Sequence, residues 1–237
     1  MKSVKFRMIA IALLSATMPF TAKAQDKVEA SVGADFVSNY IWRGTDCGGV
    51  SIQPSMEVSY KGLSLAAWGS VGIDKEDARE IDFTLGYNTG GFSVSVTDYW
   101  FSYHKEDGGY TGDYFKYGAH STVHIFEATL GYDFGPLALS WNTYFAGDDY
   151  TKKNGDRAYS TYVGISAPFK LGGLDWSAEV GLTPWEGAYA NKFNVTNLTL
   201  KAEKEIKFTN SFSLPTFAQL TFNPHTQGAY FVFGVSF

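Results

Sequence analysis

The sequence of 237 residues has little cysteine, little proline and no surplus of positive charge. Its single cysteine, Cys47, has no partner in the chain, so stability must come from packing and backbone hydrogen bonds rather than from an internal disulfide. With 19 Lys and Arg against 24 Asp and Glu, the net charge is -5, which offers no basic surface for nucleic acid. Beyond the N-terminal segment, no apolar run is long enough for a membrane-spanning helix.

The N-terminal segment has the pattern of a secretory signal. Basic residues precede an apolar run from Met8 to Leu14, and residues 22–24 read Ala-Lys-Ala, the small-x-small pattern of a cleavage site. We therefore expect a signal peptide over residues 1–24 and a mature domain over residues 25–237. The first mature residue would be Gln rather than Cys, which argues against a lipid anchor.

The sequence is instead rich in aromatic residues and in a two-residue alternation. Phe, Trp and Tyr make up 17% of the chain. From Glu80 to Tyr87, apolar residues at every second position alternate with acidic or small polar ones. Because side chains two apart lie on the same side of a strand, this stretch predicts a strand with one apolar and one polar face. About twelve stretches share the pattern. They lie near residues 28–43, 50–60, 63–73, 80–88, 92–104, 124–134, 137–147, 158–169, 174–184, 193–206, 211–222 and 228–237.

The connections between the predicted strands alternate in length. Short turns such as residues 60–62 and 88–91 alternate with longer charged segments such as residues 105–123 and 148–157. Short turns on one side and long polar loops on the other are typical of bacterial outer-membrane barrels. A sheet that crosses lipid must close, because unpaired backbone groups are costly there. We therefore predict an all-β fold, a transmembrane, antiparallel, up-and-down β-barrel of about 12 strands in the outer membrane of a Gram-negative bacterium.

The last predicted strand resembles the signal that barrel-assembly machinery recognises in outer-membrane proteins. Phe231, Phe233, Val235 and Phe237 share one face of this strand. The resemblance implies insertion by that machinery, with outer-membrane lipids around the barrel. The oligomeric state stays open.

The first predicted strand carries the most specific resemblance to a known family. Residues 37–44 read Val-Ser-Asn-Tyr-Ile-Trp-Arg-Gly. They resemble the Ser-x-Tyr-x-x-Arg-Gly pattern that ends the first strand in the TorF-type porin family. The likeness continues through residues 52–55, 67–70 and 80–87 and covers most of the mature chain. It implies a barrel fold and a role in transport. Cys47 is not part of the family's pattern.

The polar face of the strands predicts the lining of the lumen, where acids outnumber bases. Charged side chains in a narrow wall set the local potential, so we expect a lumen that prefers cations. The alternative is that these carboxylates hydrogen-bond to their neighbours and fill the barrel, because about twelve strands enclose only a modest space. The predicted pore-lining residues are Arg43, Glu57, Glu80, Asp82, Glu127, Asp133, Glu179, Lys201 and Glu203.

Two aromatic residues, Tyr40 and Trp42, are predicted to lie at the outer membrane interface, where aromatic girdles occur. With Trp42 facing lipid, Arg43 would point inward and pair with Glu80 or Asp82. The alternative places Arg43 at the rim, where it would hold loop carbonyls or lipid phosphates.

The stretch that begins at Phe92 changes its apolar phase at Asp98, which predicts a β-bulge near that residue. It leads into the longest loop, residues 105–123, which is rich in Gly, Tyr and Asp. This loop would either fold inward and narrow the pore or form an exposed surface for adhesion or for a receptor.

One serine and histidine raise the question of an enzyme, because a twelve-stranded outer-membrane phospholipase is a known architecture. Ser102 and His104 lie two residues apart, with Asn142 as a conceivable third member, and a hydrolytic site needs such groups within hydrogen-bond reach. The order reverses the His-x-Ser arrangement of that family, so we predict no enzyme activity. His120 and His124 have no Cys or carboxylate at ligand spacing beside them, so we predict neither a metal site nor a cofactor.

These features together predict a porin-like channel for the passive diffusion of small hydrophilic solutes. The rival interpretation is a non-conducting structural or surface-binding barrel that acts through its extracellular loops.

Overall fold

The computed structural model describes residues 27–105, 109–119, 121–209 and 212–237, and the predicted signal peptide over residues 1–24 lies outside them. The regular secondary structure in these ranges consists of β-strands. The described residues include no helix with the length and apolar character needed to cross a membrane. The strands are β1 (Glu29–Val37), β2 (Tyr40–Trp42), β3 (Thr45–Gly48), β4 (Ser51–Tyr60), β5 (Leu63–Gly72), β6 (Arg79–Thr89), β7 (Phe92–Ser102), β8 (Ile125–Asp133), β9 (Ala138–Gly147), β10 (Thr161–Leu171), β11 (Leu174–Thr183), β12 (Asn194–Lys207), β13 (Ser213–Asn223) and β14 (Gly228–Ser236).

Every strand except β2 and β3 belongs to one closed antiparallel barrel, ordered β1-β14-β13-β12-β11-β10-β9-β8-β7-β6-β5-β4. β1 closes the ring by pairing with β14, where Asp35 lies opposite Ser236 and Val37 opposite Gly234. Each of the other neighbouring pairs follows the order of the chain. The prediction of an all-β, up-and-down barrel of about 12 strands is confirmed. Closure removes the free edges that an open sheet would expose.

The two ends of the barrel differ in the length of their connections. The turn end carries the tight connections at 61–62, 90–91, 134–137, 172–173 and 208–212. The loop end carries the segments 38–50, 73–78, 103–124, 148–160, 184–193 and 224–227. The strand bounds agree with the predicted ones to within a few residues, except for the first strand.

The wall has an apolar outer face and a polar inner face. On β6 the side chains of Ile81, Phe83 and Leu85 are 39%, 43% and 54% exposed. Glu80 and Asp82, which alternate with them, are 5% and 8% exposed. The split follows the two-residue period that strands impose on their side chains. The four apolar residues at the end of the chain also share the outer face: Phe231, Phe233, Val235 and Phe237.

The predicted bulge at Asp98 is wrong. β7 pairs with β6 along residues 92–102, and with β8 over their common length, without a shift of register. Asp98 keeps the outward phase of its strand, opposite Phe83 on one side and Phe126 on the other. The hydrophobic phase changes because Tyr99 points into a lumen that is itself aromatic at this height, where its ring faces a tryptophan and another tyrosine.

The first predicted strand, residues 28–43, is too long. β1 ends at Val37, and the chain then enters the barrel from the loop end as a hairpin of β2 and β3. Residues 40–48 form this inner hairpin. Ile41 is 4% exposed and belongs to a buried apolar cluster with Val37 and with Phe217 of the wall. The first loop therefore lies inside the barrel rather than above it.

Candidate functional site

The inner hairpin turns at Arg43 and Gly44. Both have positive φ, 50° and 78°, and Trp42 pairs with Thr45 across them. A two-residue hairpin turn with positive φ at both positions is of type I′. A Cβ on Gly44 would lie 1.9 Å from the carbonyl oxygen of Thr196. The tip of the hairpin is therefore seated directly against β12, where only glycine fits.

The seat also involves the neighbouring strand. The Asn223 side chain, on β13, donates a hydrogen bond to the Gly44 carbonyl at 3.0 Å. In the ring of strands, β9, β10 and β11 separate β12 from β8. A hairpin that contacts β12, β13 and β8 must therefore cross the lumen. Arg43 makes the contact with β8.

Arg43 forms a bidentate ion pair with Glu127 of β8. Nη1 donates to Oε2 at 2.5 Å and Nη2 donates to Oε1 at 2.9 Å. The two side chains are only 7% and 1% exposed. Paired hydrogen bonds of this kind are the strong form of arginine–carboxylate contact. The inward direction of Arg43 agrees with the sequence prediction, but the predicted partners Glu80 and Asp82 are wrong, because the hairpin carries the guanidinium past β6 to β8.

Aromatic rings enclose the guanidinium. Its Cζ lies 4.3 Å from the centre of the Trp42 ring, 4.8 Å from that of Tyr162 and 5.8 Å from that of Tyr189. A cation over an aromatic face is stabilised by the ring's quadrupole, and more strongly where water is excluded. The aromatic rings therefore contact the planar guanidinium of Arg43, while its N–H groups donate hydrogen bonds to Glu127.

Tyrosine hydroxyls complete the hydrogen bonding of the ion pair. Arg43 donates to the Tyr189 hydroxyl at 2.6 Å, and that hydroxyl donates to Tyr144 at 3.1 Å. Tyr99 donates its hydroxyl to Glu127 at 2.9 Å. Burial raises the pKa of Tyr189, which lies in a loop, to about 12, so its hydroxyl keeps its proton. Uncharged hydroxyls thus hold both members of the pair, because Tyr99 donates to the carboxylate and Tyr189 accepts from the guanidinium.

The predicted interface positions of Tyr40 and Trp42 are wrong. Tyr40 is 7% exposed, and its ring centre lies 5.4 Å from that of Trp68 on the inner face of β5. The Trp42 ring lies 5.6 Å from that of Tyr99 inside the barrel. The prediction extended the alternation of the first strand through both residues, but that strand ends at Val37. Beyond it the chain has left the wall, so the strand period no longer decides which side a residue faces.

Glu179 lies in a second polar cluster on the inner wall. Tyr162 donates to its Oε1 at 2.5 Å, and Asn197 donates to the same oxygen at 3.0 Å. Asn197 also donates to the Tyr162 hydroxyl at 3.0 Å. Since the Tyr162 ring contacts Arg43 on its other side, this cluster and the ion pair form one continuous polar network across the lumen.

Glu80 and Asp82 lie side by side on the inner face of β6. They are two residues apart on the buried face of the strand, and the Tyr40 ring of the inner hairpin packs against Trp68, which pairs with Asp82 across the sheet. Asp82 Oδ1 is buried and has no hydrogen-bond partner. Among the described residues, neither acid forms an ion pair with a base. The structure brings these two predicted lumen residues together with each other rather than with Arg43.

The remaining predicted pore-lining residues lie toward the turn end. Lys201 Nζ is 2.7 Å from Glu203 Oε1 and 4.4 Å from the centre of the Phe217 ring. These side chains line a cavity of about 180 Å³. Asp133 accepts a backbone hydrogen bond in its own turn at 2.6 Å, and Glu57 is half-buried on β4. None of these turn-end contacts involves residues of the inner hairpin.

The described part of the longest loop, residues 109–119 and 121–123, lies against the outside of the wall. His124 is fully buried on that side, with Nδ1 2.7 Å from Asp98 Oδ1 and Nε2 2.7 Å from the Tyr114 carbonyl. Both ring nitrogens therefore have hydrogen-bond partners, one on the wall and one in the loop. The Tyr117 ring covers the imidazole at 4.3 Å. Of the two alternatives predicted for this loop, the inward fold that narrows the pore is therefore wrong for the described part of the loop.

The three residues weighed for a hydrolytic site do not meet. Ser102 pairs across the sheet with outward-facing Arg79 and donates its hydroxyl to the Thr111 carbonyl at 2.7 Å. Asn142 lies on the inner face of β9, where it donates to the Tyr162 carbonyl. His104 is exposed and follows the end of β7. The wall itself separates Ser102 from Asn142.

The histidines weighed for a metal site are likewise not brought together with other ligands. His120 lies outside the described residues, and His124 is occupied by Asp98 and the loop carbonyl. Within the described parts of the chain, no group of three or more His, Cys, Asp or Glu residues is placed to hold a metal ion.

Sequence reasoning missed the tyrosines that surround the ion pair. Tyr144 falls on the polar phase of its strand, between Asn142 and the loop end, which is a signal for an inward side chain. Tyr189 lies in the segment between β11 and β12, and no local pattern in the sequence marks it as inward-facing.

The comparison with protein families gives one match. A family model described as a bacterial protein of unknown function (Gcw_chp) matches residues 21–214 of the chain. None of the curated proteins matches. The resemblance to TorF-type porins stays a prediction.

Proposed function

The chain belongs to the Gcw_chp family, and we propose that it is an outer-membrane channel for small hydrophilic solutes, with a preference for cations, that its inner hairpin closes. The observation that carries the proposal is the contrast between the two faces of a closed wall. Outside, large apolar side chains are exposed along the strands, and inside, charged and hydrogen-bonding groups face one another.

The outer face supports a location in lipid. Soluble monomers rarely expose contiguous apolar patches beyond a few hundred Å², whereas this barrel exposes one on strand after strand. A closed barrel with all its strands paired is one of the two folds that can cross a bilayer without unsatisfied backbone groups. The outward aromatic residues at the end of the chain fit the same environment.

The way the lumen is closed supports a channel rather than a solid barrel. The inner hairpin obstructs the lumen at the loop end. Its backbone is continuous with the wall at β1 and β4, and otherwise only non-covalent contacts hold it in place. The wall behind it is polar, so the space left by a displaced hairpin would suit water and small polar solutes. Toward the turn end the lumen already contains a cavity beside Lys201 and Glu203.

The charge of the inner face supports a preference for cations. Glu80, Asp82 and Glu179 line the upper lumen without a basic partner in ion-pair contact, and the base Arg43 is neutralised by Glu127. Acidic groups on a narrow polar wall lower the energy of cations and raise that of anions.

A second candidate function is a non-conducting barrel, and the depth of the hairpin contacts favours it. The hairpin is fixed to β8 by the ion pair with Glu127 and to β12 by the close contact of Gly44, so it closes the lumen near the loop end. In that case the loops at the loop end would carry the activity, and the outer loop held by His124 is the largest of them.

Recording from single barrels in planar bilayers distinguishes the two. We expect the wild type to be closed for most of the time and a variant with residues 39–49 replaced by a short Gly-Ser linker to conduct steadily. In a salt gradient, the reversal potential of that variant should have the sign that indicates a higher permeability for cations than for anions. A matched control replaces the exposed loop tip at residues 152–156 and should behave as the wild type. A hairpin-free barrel that stays silent would refute the channel and leave the non-conducting function.

A further inference from the structure

We infer that the loop at residues 184–193 is a lid that keeps the inner hairpin docked, with Tyr189 as the positioning residue through which it acts. The inference deepens the proposed function, because it names what controls the closed state, and its consequence for conduction rests on that function. The docking of the hairpin is measurable whether or not the barrel conducts.

Tyr189 reaches from the lid into the lumen. It is 8% exposed, although it lies in a connection at the loop end, between β11 and β12. Its hydroxyl accepts a hydrogen bond from Arg43 at 2.6 Å, and its ring centre lies 6.3 Å from that of Trp42. Among the described residues, no other residue of the lid hydrogen-bonds to the inner hairpin. The lid therefore contacts the hairpin at a buried cation, where the loss of a hydrogen bond is costly.

A second loop, residues 148–160, supports the lid. Ala158 donates a backbone hydrogen bond to the Tyr150 carbonyl at 2.9 Å, and Thr151 is bridged to Arg157. The two halves of this support loop thus continue the pairing of β9 and β10 beyond the ends of both strands. Since its backbone groups are paired with each other, the support loop is an extension of the wall against which the lid can be fixed.

Ser160, at the base of the support loop, joins it to the lid. The serine is 0% exposed. Its hydroxyl donates to Asp149 at 2.5 Å and accepts from the backbone N–H of Ala188 at 2.8 Å. A Cβ on Gly187 would lie 2.8 Å from the same hydroxyl oxygen and 3.0 Å from the Cα of Ser160. The backbone of the lid is therefore seated directly on this serine. Because Ala188 adjoins Tyr189, the seat sets where the tyrosine enters the lumen.

Two exposed hydrogen bonds complete the contact between the loops. Trp185 donates from its indole to the Tyr159 carbonyl at 3.1 Å, and Tyr150 donates its hydroxyl to Glu186 at 3.1 Å. Hydrogen bonds are electrostatically stronger where water is excluded, so the buried serine should hold the lid more firmly than these two do. A displacement of the lid at the surface would withdraw the Tyr189 hydroxyl from Arg43, and this couples the outer loops to the closure of the lumen.

Maleimide labelling of Cys47 tests the lid in the purified full-length barrel. Cys47 lies on β3 of the inner hairpin and is half-buried, so its labelling rate follows the population of the undocked hairpin. Tyr189→Phe keeps the ring but removes the hydroxyl from a buried cation, and we expect labelling to become roughly ten- to 100-fold faster. Ser160→Ala should give a smaller rise of about two- to tenfold, because it loosens the lid without removing that hydroxyl.

A double variant separates positioning through Tyr189 from a general loss of stability. If the serine acts through the tyrosine hydroxyl, Ser160→Ala should change the labelling rate of Tyr189→Phe by less than about twofold. Ser102→Ala is the matched control. Ser102 is 2% exposed and also holds a loop, by donating to the Thr111 carbonyl at 2.7 Å, but that loop lies outside the wall. This variant should label at the wild-type rate.

The inference is overturned if Tyr189→Phe or Ser160→Ala labels at the wild-type rate, or if their effects multiply in the double variant. It is also overturned if Ser102→Ala accelerates labelling as much as Ser160→Ala does. Labelling follows the docking of the hairpin and bilayer recording follows conduction, so the lid and the channel are tested separately. In bilayers Tyr189→Phe should open more often than the wild type. A Tyr189→Phe barrel that labels fast but stays silent would support the lid and count against the channel.

Discussion

Replacing Arg43 with methionine should release the inner hairpin. Methionine keeps most of the length of the side chain but leaves the Glu127 carboxylate buried at 1% exposure without its cation. Removing one partner of a buried ion pair typically costs about 3–5 kcal/mol. Each 1.4 kcal/mol is a factor of ten, so the undocked hairpin should become roughly 100- to 4,000-fold more populated. We expect the lower part of this range, because Glu127 keeps the hydrogen bond from Tyr99.

Cys47 reports this change directly. It lies on β3 of the hairpin, it is half-buried, and it is the single cysteine of the sequence. When local opening is fast compared with the reaction, the rate of maleimide labelling follows the population of the open form. The Arg43→Met variant should therefore react faster by about the same factor, until the rate reaches that of a fully exposed thiol.

A control variant makes the result specific. Lys170 and Asp175 form an ion pair of 2.7 Å near the turn end, but their side chains are 85% and 63% exposed. Lys170→Met should leave labelling of Cys47 unchanged, since exposed pairs contribute little. If Arg43→Met reacts at the wild-type rate, or if Lys170→Met accelerates labelling equally, the ion pair does not hold the hairpin.

Two other contacts should respond to single substitutions. Gly44→Ala should also release the hairpin, because a Cβ there meets a carbonyl oxygen of β12 at 1.9 Å. Gly173 has nearly the same φ, 77°, but open space around it, so Gly173→Ala should not change the labelling of Cys47. Equal effects of the two variants would show that the close contact of Gly44 with β12 does not hold the hairpin. His124→Leu should free the outer loop from Asp98 and speed its cleavage by added protease. His104→Leu, at an exposed position, should not; identical digestion of both variants would mean that the buried histidine does not hold the loop.

The architecture was predictable because the strand period is local. Eleven of the twelve predicted strands coincide with observed ones to within a few residues. Even the strand from Phe92 to Ser102, whose pattern pointed to a bulge, is regular. Its apparent break arises because Asp98 is covered by a loop and Tyr99 meets other aromatic residues, and neither neighbour is close in the sequence.

The inner hairpin was not predictable from the same pattern. Residues 40–42 continue the alternation of β1, so they read as the end of that strand. The turn at Arg43 and Gly44 lacks the Asn-Gly or Asp-Gly pair that usually marks a type I′ turn. The contact that turns the segment inward joins Arg43 to Glu127, 84 residues away. A lumen position for Arg43 could be inferred, but its partner depends on how far the hairpin reaches.

A closure built on an ion pair should be weaker than one built on apolar contacts, which fits the proposal that the inner hairpin opens. Replacing a buried ion pair by well-packed apolar groups of similar volume is often neutral or stabilising by about 1–4 kcal/mol, because neither charge then has to lose its water. The double variant Arg43→Met/Glu127→Gln removes both charges, and glutamine still offers Tyr99 an oxygen. We expect it to label at Cys47 no faster than the wild type, and in bilayers to open less often than the wild type does. A double variant that labels as fast as Arg43→Met alone would show that the guanidinium contacts with Trp42 and the tyrosines, rather than the compensation of charge, keep the lumen closed.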